Sequence, residues 1–261
     1  MKIICVGRKK SAVLFLAACA FLAACAFLAA VVAANAFAPA VYAAFAKKRA
    51  LPIYSVERED KTISISFDCA WGVEHTDELL KIMDEQDVKC TFFMVQFWAE
   101  KYPEYVQKIA AAGHEIGTHS RTHPKMSELT KEQIVSELKT SCEAIEKITG
   151  KKTELFRPPF GDYDDLLVET AKETGLYTIQ WDVDSLDWKN LSGQEIALRV
   201  VNGVKSGSII LCHNNGLHTA EALPVILSAL KNKGYRFVPI GELIYRENYS
   251  MRSDGRQMPA S

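Results

Sequence analysis

From about residue 60 the chain switches repeatedly between two hydrophobic rhythms. In "TISISFDC" the apolar Ile63, Ile65 and Phe67 interleave with Ser64 and Ser66. A period of two predicts a half-buried strand, here ending on Asp68. Leu79, Leu80 and Met83 then recur at helical spacing, which predicts a helix over 76–86. "KCTFFMV" (89–95) reads as a buried strand, and Pro103–Ala112 as an amphipathic helix stopped by Gly113. "HEIGTH" (114–119) is a short strand, and Thr130 with Gln133 forms a capping box that opens a helix running to Gly150. Strands are expected near Phe156 and over 177–182, 208–212 and 236–239, and helices over 163–174, 192–201, 220–233 and 241–245. Residues 249–261 are polar and are expected to fray.

Repeated strand–helix units imply parallel strands with helices outside, and this many in one sheet points to closure into an α/β barrel. No second folded domain is expected beside the body at 51–248. The first fifty residues differ from it. Lys2, Arg8, Lys9 and Lys10 precede a stretch, 11–46, that carries no charge. Its length suits a membrane anchor or an extended signal peptide, with cleavage candidates at Ala34-Asn35-Ala36 and Val41-Tyr42-Ala43. The basic residues ahead of the run favour an exported body, secreted or membrane-anchored.

Composition narrows the partners. A formal net charge of -1 over 261 residues argues against a nucleic-acid binder, which carries a basic surplus. Cys69, Cys90, Cys142 and Cys212 follow no framework spacing, so free thiols are expected in the body.

Reactive side chains gather where strands should end. "HSRTH" places His119 and His123 four apart, on one face if the segment makes a helical turn, a geometry that suits one metal ion. "RPPFGDYD" (157–164) is a stiff loop carrying Arg157; "WDVDSLDW" (181–188) carries Asp182, Asp184 and Asp187; "SIILCHNN" (208–215) ends a strand on His213. Singly, each has an ordinary explanation: a surface ion pair, turn caps, a satisfied core histidine.

In order they form a set. Strand-end Asp, His-x-x-x-His, Arg-Pro-Pro-Phe-Gly, Asp-Trp and Leu-x-His, spread over residues 60–245, resemble the ordered motifs of the NodB-type polysaccharide deacetylases, carbohydrate esterase family 4. "FDCAWG" is similar to the first motif of the Gram-positive, sporulation-associated branch. The resemblance implies a distorted (β/α)7-type barrel that hydrolyses the acetamide of N-acetylated sugars in peptidoglycan or a related cell-wall polysaccharide. It implies a divalent metal ion, Zn before Co, Mn or Ni, held by His119 and His123. By the same resemblance Asp68 is the base, Arg157 orients it, and His213 is the acid tuned by Asp187. The Phe160 N–H would meet the oxyanion, and Trp188 and Leu211 would wall the acetyl pocket.

One position departs from the pattern. The family's first motif supplies a second aspartate as the third metal ligand, where Cys69 stands here. Three replacements are open: His75 or Glu74 from the lengthened loop, which we prefer; the Cys69 thiolate; or two histidines and water alone. The same departure supports a rival from another class, a metal-deficient, non-catalytic glycan-binding homologue in the cell envelope. A hydrolase with Cys69 as nucleophile is a third reading.

Overall fold

The computed structural model describes residues 49–260 and, ahead of them, helical residues at 15, 18–23, 25–28 and 31–32. Met1–Arg49 and Ala50–Ser261 are separate compact units. Most of the charge-free leader, with both cleavage candidates, lies outside the described residues. Among the described residues no helix is long and apolar enough to cross a membrane.

Within the body the elements are β1 (Ser55–Val56), β2 (Thr62–Cys69), α1 (Thr76–Glu85), β3 (Thr91–Met94), α2 (Gln96–Lys101), α3 (Pro103–Ala111) and β4 (Glu115–Thr118). There follow α4 (Lys131–Thr149), β5 (Leu155–Phe156), α5 (Asp165–Glu173), β6 (Tyr177–Thr178), β7 (Val183–Asp184) and α6 (Gly193–Gly203). The chain ends with β8 (Ile209–His213), α7 (Thr219–Asn232), β9 (Arg236–Phe237), α8 (Ile240–Leu243), β10 (Tyr249–Met251) and β11 (Arg256–Pro259). The main sheet is parallel, in the order β6-β5-β4-β3-β2-β8-β7, with β9 also paired to β2. It curls with helices outside, the distorted (β/α) barrel expected from the sequence. The Thr130/Gln133 capping box is formed, and α4 ends at Gly150 in the left-handed region, φ 69°.

The alternation in β2 has a different meaning from the half-exposed strand it suggested. Every residue of β2 is buried. Ile63, Ile65, Phe67 and Cys69 pack in the outer core with residues of α1, α3, α6 and α7, while Ser64, Ser66 and Asp68 alternate with them and so face the barrel interior. The serines are tolerated there because Ser64 Oγ donates to the Val238 carbonyl (2.6 Å) and Ser66 Oγ to the Ile210 carbonyl (2.7 Å).

The open edge of the curl is closed by residues 53–56, which run into and include β1. Ile53 donates to the Thr178 carbonyl and accepts from Gln180 N, both at 2.8 Å, while Val56 N donates to the Gly207 carbonyl at 2.9 Å. Gly207 has φ +79°, and a β-carbon there would stand 1.6 Å from the Val56 carbonyl oxygen. Gly207→Ala therefore combines left-handed strain with a backbone clash, and a loss of about 2 kcal/mol is expected. Thermal unfolding should show it as a fall of about 4–8 °C in Tm.

The C-terminal residues do not fray. β10 and β11 pair antiparallel, and β11 pairs in parallel with β1. Gln257 is fully buried, its amide accepting from Tyr245 N and donating to the Tyr245 carbonyl, both at 2.7 Å. Polarity along 249–261 hid this order because the strand that β11 joins lies almost at the other end of the body. All thiols of the body are free.

Candidate active site

The C-terminal ends of β2, β4, β5 and β8 bring the reactive groups together. Asp68 sits opposite His213 in the β2–β8 register, and His119 and Arg157 directly follow β4 and β5. Two hydrogen bonds carry the sheet past its strands to fix them: His119 N donates to the Met94 carbonyl and Arg157 N to the Thr118 carbonyl.

Asp68 is buried against a fully buried Arg157, whose Nη1 donates to Asp68 Oδ1 at 2.8 Å. Arg157 Nη2 reaches the Gln180 carbonyl at 3.3 Å, and its guanidinium lies 4.2 Å from the Phe93 ring centre. Burial pushes the Asp68 carboxyl up, but Arg157 and then His119 and His213 outweigh it, so its pKa falls below the usual carboxylate value. An ionised carboxylate is thus kept in the barrel mouth.

His213 carries the opposite adjustment. Its Nδ1 donates to Asp187 Oδ1 at 2.7 Å, while Asp187 Oδ2 accepts from His213 N and from Thr219 Oγ1, each at 2.7 Å. Burial lowers the His213 pKa, but the Asp187 hydrogen bond and charge more than offset it, so the imidazole titrates above its ordinary value. Nε2 remains the free ring nitrogen. Asp182 and Asp184 stand apart from this pair, Asp182 bonding Ser208 Oγ and Ile209 N and Asp184 capping Leu186 N.

His119 and His123 do not lie on a helical turn. Ser120 (φ 73°) and His123 (φ 59°) are both left-handed, and the segment is a tight loop. The loop still brings the rings together, 4.9 Å between centres. His119 Nδ1 donates to the Arg157 carbonyl at 2.7 Å, which leaves Nε2 with its lone pair 3.6 Å from Asp68 Oδ2. Burial lowers both imidazoles, His123 to about 4, so both are neutral and able to ligate at pH 7. Phe160, in the turn Pro159–Gly161, is left-handed (φ 60°) and exposed, its ring 4.6 Å from His123. Leu211 lies two residues before His213 on the same face of β8, and Trp188 is exposed.

Of the third ligands considered from the sequence, Cys69 is turned away from the histidine pair. Cys69 is fully buried in the outer core, its Sγ against the Phe67 carbonyl at 3.9 Å, on the face of β2 opposite Asp68. Strand alternation turns it away, and burial pushes its thiol far above the ordinary value. That disposes of Cys69 as a ligand or nucleophile in this conformation. Glu74 folds back over Gly72, and His75 starts α1. Among the described residues no three His, Cys, Asp or Glu side chains converge as a metal site. His119 and His123, two neutral imidazoles with Asp68 beside them, are the residues that would hold a divalent ion.

Sequence reasoning missed the supports: Phe93 under Arg157, Thr219 on Asp187, and Asn214, whose backbone N donates to the Asp68 carbonyl. Only Asn214, next to His213, had a visible signal.

The polysaccharide deacetylase family model matches residues 55–179. A peptidoglycan-N-acetylglucosamine deacetylase of Bacillus cereus is 35% identical over 196 residues, covering 73% of this chain and 92% of that one. The chain belongs to the polysaccharide deacetylase family. Its named relatives include peptidoglycan deacetylases, which are amide hydrolases, and deacetylases of this family generally depend on a metal ion. This polysaccharide deacetylase also matches the Bacillus subtilis protein YlxY at 34% identity, over 74% of its own length but only 60% of that relative's. Among solved structures it resembles a Bacillus anthracis carbohydrate esterase family 4 pseudoenzyme, with TM-score 0.72, 34% identity, and 74% and 69% of the two chains covered.

Proposed function

We propose that this chain is a metal-dependent N-deacetylase of amino sugars in peptidoglycan or a related cell-wall polysaccharide, acting outside the cytoplasmic membrane. One observation carries the reading: an ionised, Arg157-held carboxylate faces, across a single rung of the sheet, an Asp187-held imidazole whose pKa is raised. Amide hydrolysis needs that pairing, because a base must activate water and an acid must protonate the departing amine. A divalent ion on His119 and His123, zinc being the first expectation, supplies an acidified water and a polarised carbonyl when bound.

The chain's own groups supply the rest. Asp68 takes a proton from the water molecule as the water oxygen bonds to the acetamide carbon. The Phe160 N–H meets the oxyanion. His213 Nε2 then gives its proton to the sugar nitrogen as the C–N bond breaks, leaving acetate and a free amine. Leu211 and Trp188 wall the acetyl methyl.

The test is acetate release from N-acetylglucosamine oligomers and peptidoglycan fragments, with zinc, cobalt, manganese or nickel added in turn. His123→Ala should weaken zinc binding by at least about 10–100-fold in calorimetric titration, since losing a direct ligand costs no less than losing the outer-shell partner of one. Unaltered affinity would remove the histidine pair from the metal site.

Cys69 favours a second reading, a glycan-binding homologue without turnover. The Bacillus anthracis relative is itself described as a pseudoenzyme, and a mutant of it as having restored enzymatic activity. Release of no acetate with any of the four ions would leave this reading standing.

A further inference from the structure

Beside the site lies an aromatic surface that the reaction does not use. Trp71 is 61% exposed, although the loop that carries it is held from beneath. The carbonyl of its neighbour Gly72 accepts two hydrogen bonds from buried donors, Trp98 Nε1 at 2.7 Å and Asn214 Nδ2 at 2.9 Å. Gly72 itself is left-handed (φ 57°), the conformation the turn requires. Two tryptophans therefore serve this loop in opposite ways. Trp98 is buried and spends its N–H on the loop, whereas Trp71 is presented to solvent.

Trp71 does not stand alone. Its ring centre lies 5.5 Å from that of Phe97, tilted by 40°, and 6.4 Å from His123, which in turn contacts Phe160. Phe97, Trp71, His123 and Phe160 form a continuous row of rings leading from α2 to the imidazole pair. Trp188, the other exposed tryptophan near the site, has the Lys189 ammonium 4.9 Å from its ring centre.

We propose that Trp71 and Phe97 form a sugar-stacking subsite for a pyranose ring of the glycan chain neighbouring the one whose acetamide reacts. The proposal deepens the deacetylase reading and rests on it for the identity of the polymer. A β-linked amino sugar presents a face of C–H groups, which packs on an indole while its hydroxyls stay in water. Continuity with His123 puts this platform next to the reacting sugar. The double clamp on Gly72 means that the loop is ordered before the glycan arrives, so little entropy is lost in forming the contact.

Calorimetric titration of the full chain with the N-acetylglucosamine monomer and tetramer tests this. Trp71→Ala should weaken tetramer binding about tenfold and leave the monomer unaffected; Trp71→Phe should recover most of the loss. In acetate-release assays the KM for the tetramer should rise by a similar factor with kcat unchanged. Equal tetramer affinity in wild type and Trp71→Ala would overturn the subsite, as would a change confined to self-association in sedimentation. If wild type released no acetate while Trp71→Ala still lost tetramer affinity, the deacetylase reading would fall and the subsite would stand. The converse result would keep the reading and remove the subsite.

Discussion

Replacing Arg157 with alanine should cost about 3–5 kcal/mol of stability, the toll of leaving a buried carboxylate without its partner. For a body of this size that is a fall in Tm of about 6–20 °C. The loss arises because Asp68 and Arg157 are both buried and joined at 2.8 Å. Charge is the larger part, but Arg157 also lies over Phe93, so packing is lost with it. The direction of the pH effect follows. Asp68 titrates below its ordinary value because Arg157, His119 and His213 together overcome burial. A carboxyl lowered by folding contributes stability that is present above its unfolded pKa and lost as pH falls through its folded one. In Arg157→Ala burial gains the upper hand, the carboxyl rises, and the acid limb of any activity profile should move to higher pH. Arg157→Lys separates the two effects, since it keeps the charge but not the fork. An alanine variant as stable as wild type would show that the pair is not the buried ion pair described here.

The second large effect is expected at His213. His213→Gln should lower amide turnover by about 10²–10⁴-fold while leaving hydrolysis of an aryl acetate within a few-fold of wild type. An amine is too basic to depart unprotonated, whereas a phenolate leaves unaided, so only the amide needs the acid. Glutamine is the informative choice because its amide can still reach Asp187, which otherwise keeps its bonds from the residue-213 N–H and Thr219 Oγ1. Equal losses on both substrates would mean that His213 acts by positioning and not by proton donation.

How much of this was legible beforehand depended on the range of the cause. Thr130, Gln133 and Gly150 announce α4 because a capping box and a left-handed stop are local. Asp68, His119, Arg157 and His213 were findable because parallel strands deliver their C-terminal ends to one face, whatever the distance along the chain. The serines of β2 misled because a polar side chain in a strand has the same pattern whether it meets water or, like Ser64, the carbonyl of Val238. His119 and His123 converge through two left-handed residues rather than the helical turn that their spacing suggested. Cys69 could be flagged by its position in the motif, but its turn toward the helices follows from the strand reaching one residue beyond Asp68. The pairing of β11 with β1 had no local signature.

The backbone bonds at Ile53 and Val56 set where the body could be cut from residues 1–49 without loss of the fold. A peptidase cutting ahead of Ala50 would leave the barrel whole, whereas one reaching past Pro52 would unlace it between Thr178 and Gly207. The safe margin for processing, and for choosing where to begin a recombinant fragment, is therefore only a few residues wide on the carboxyl side of Arg49.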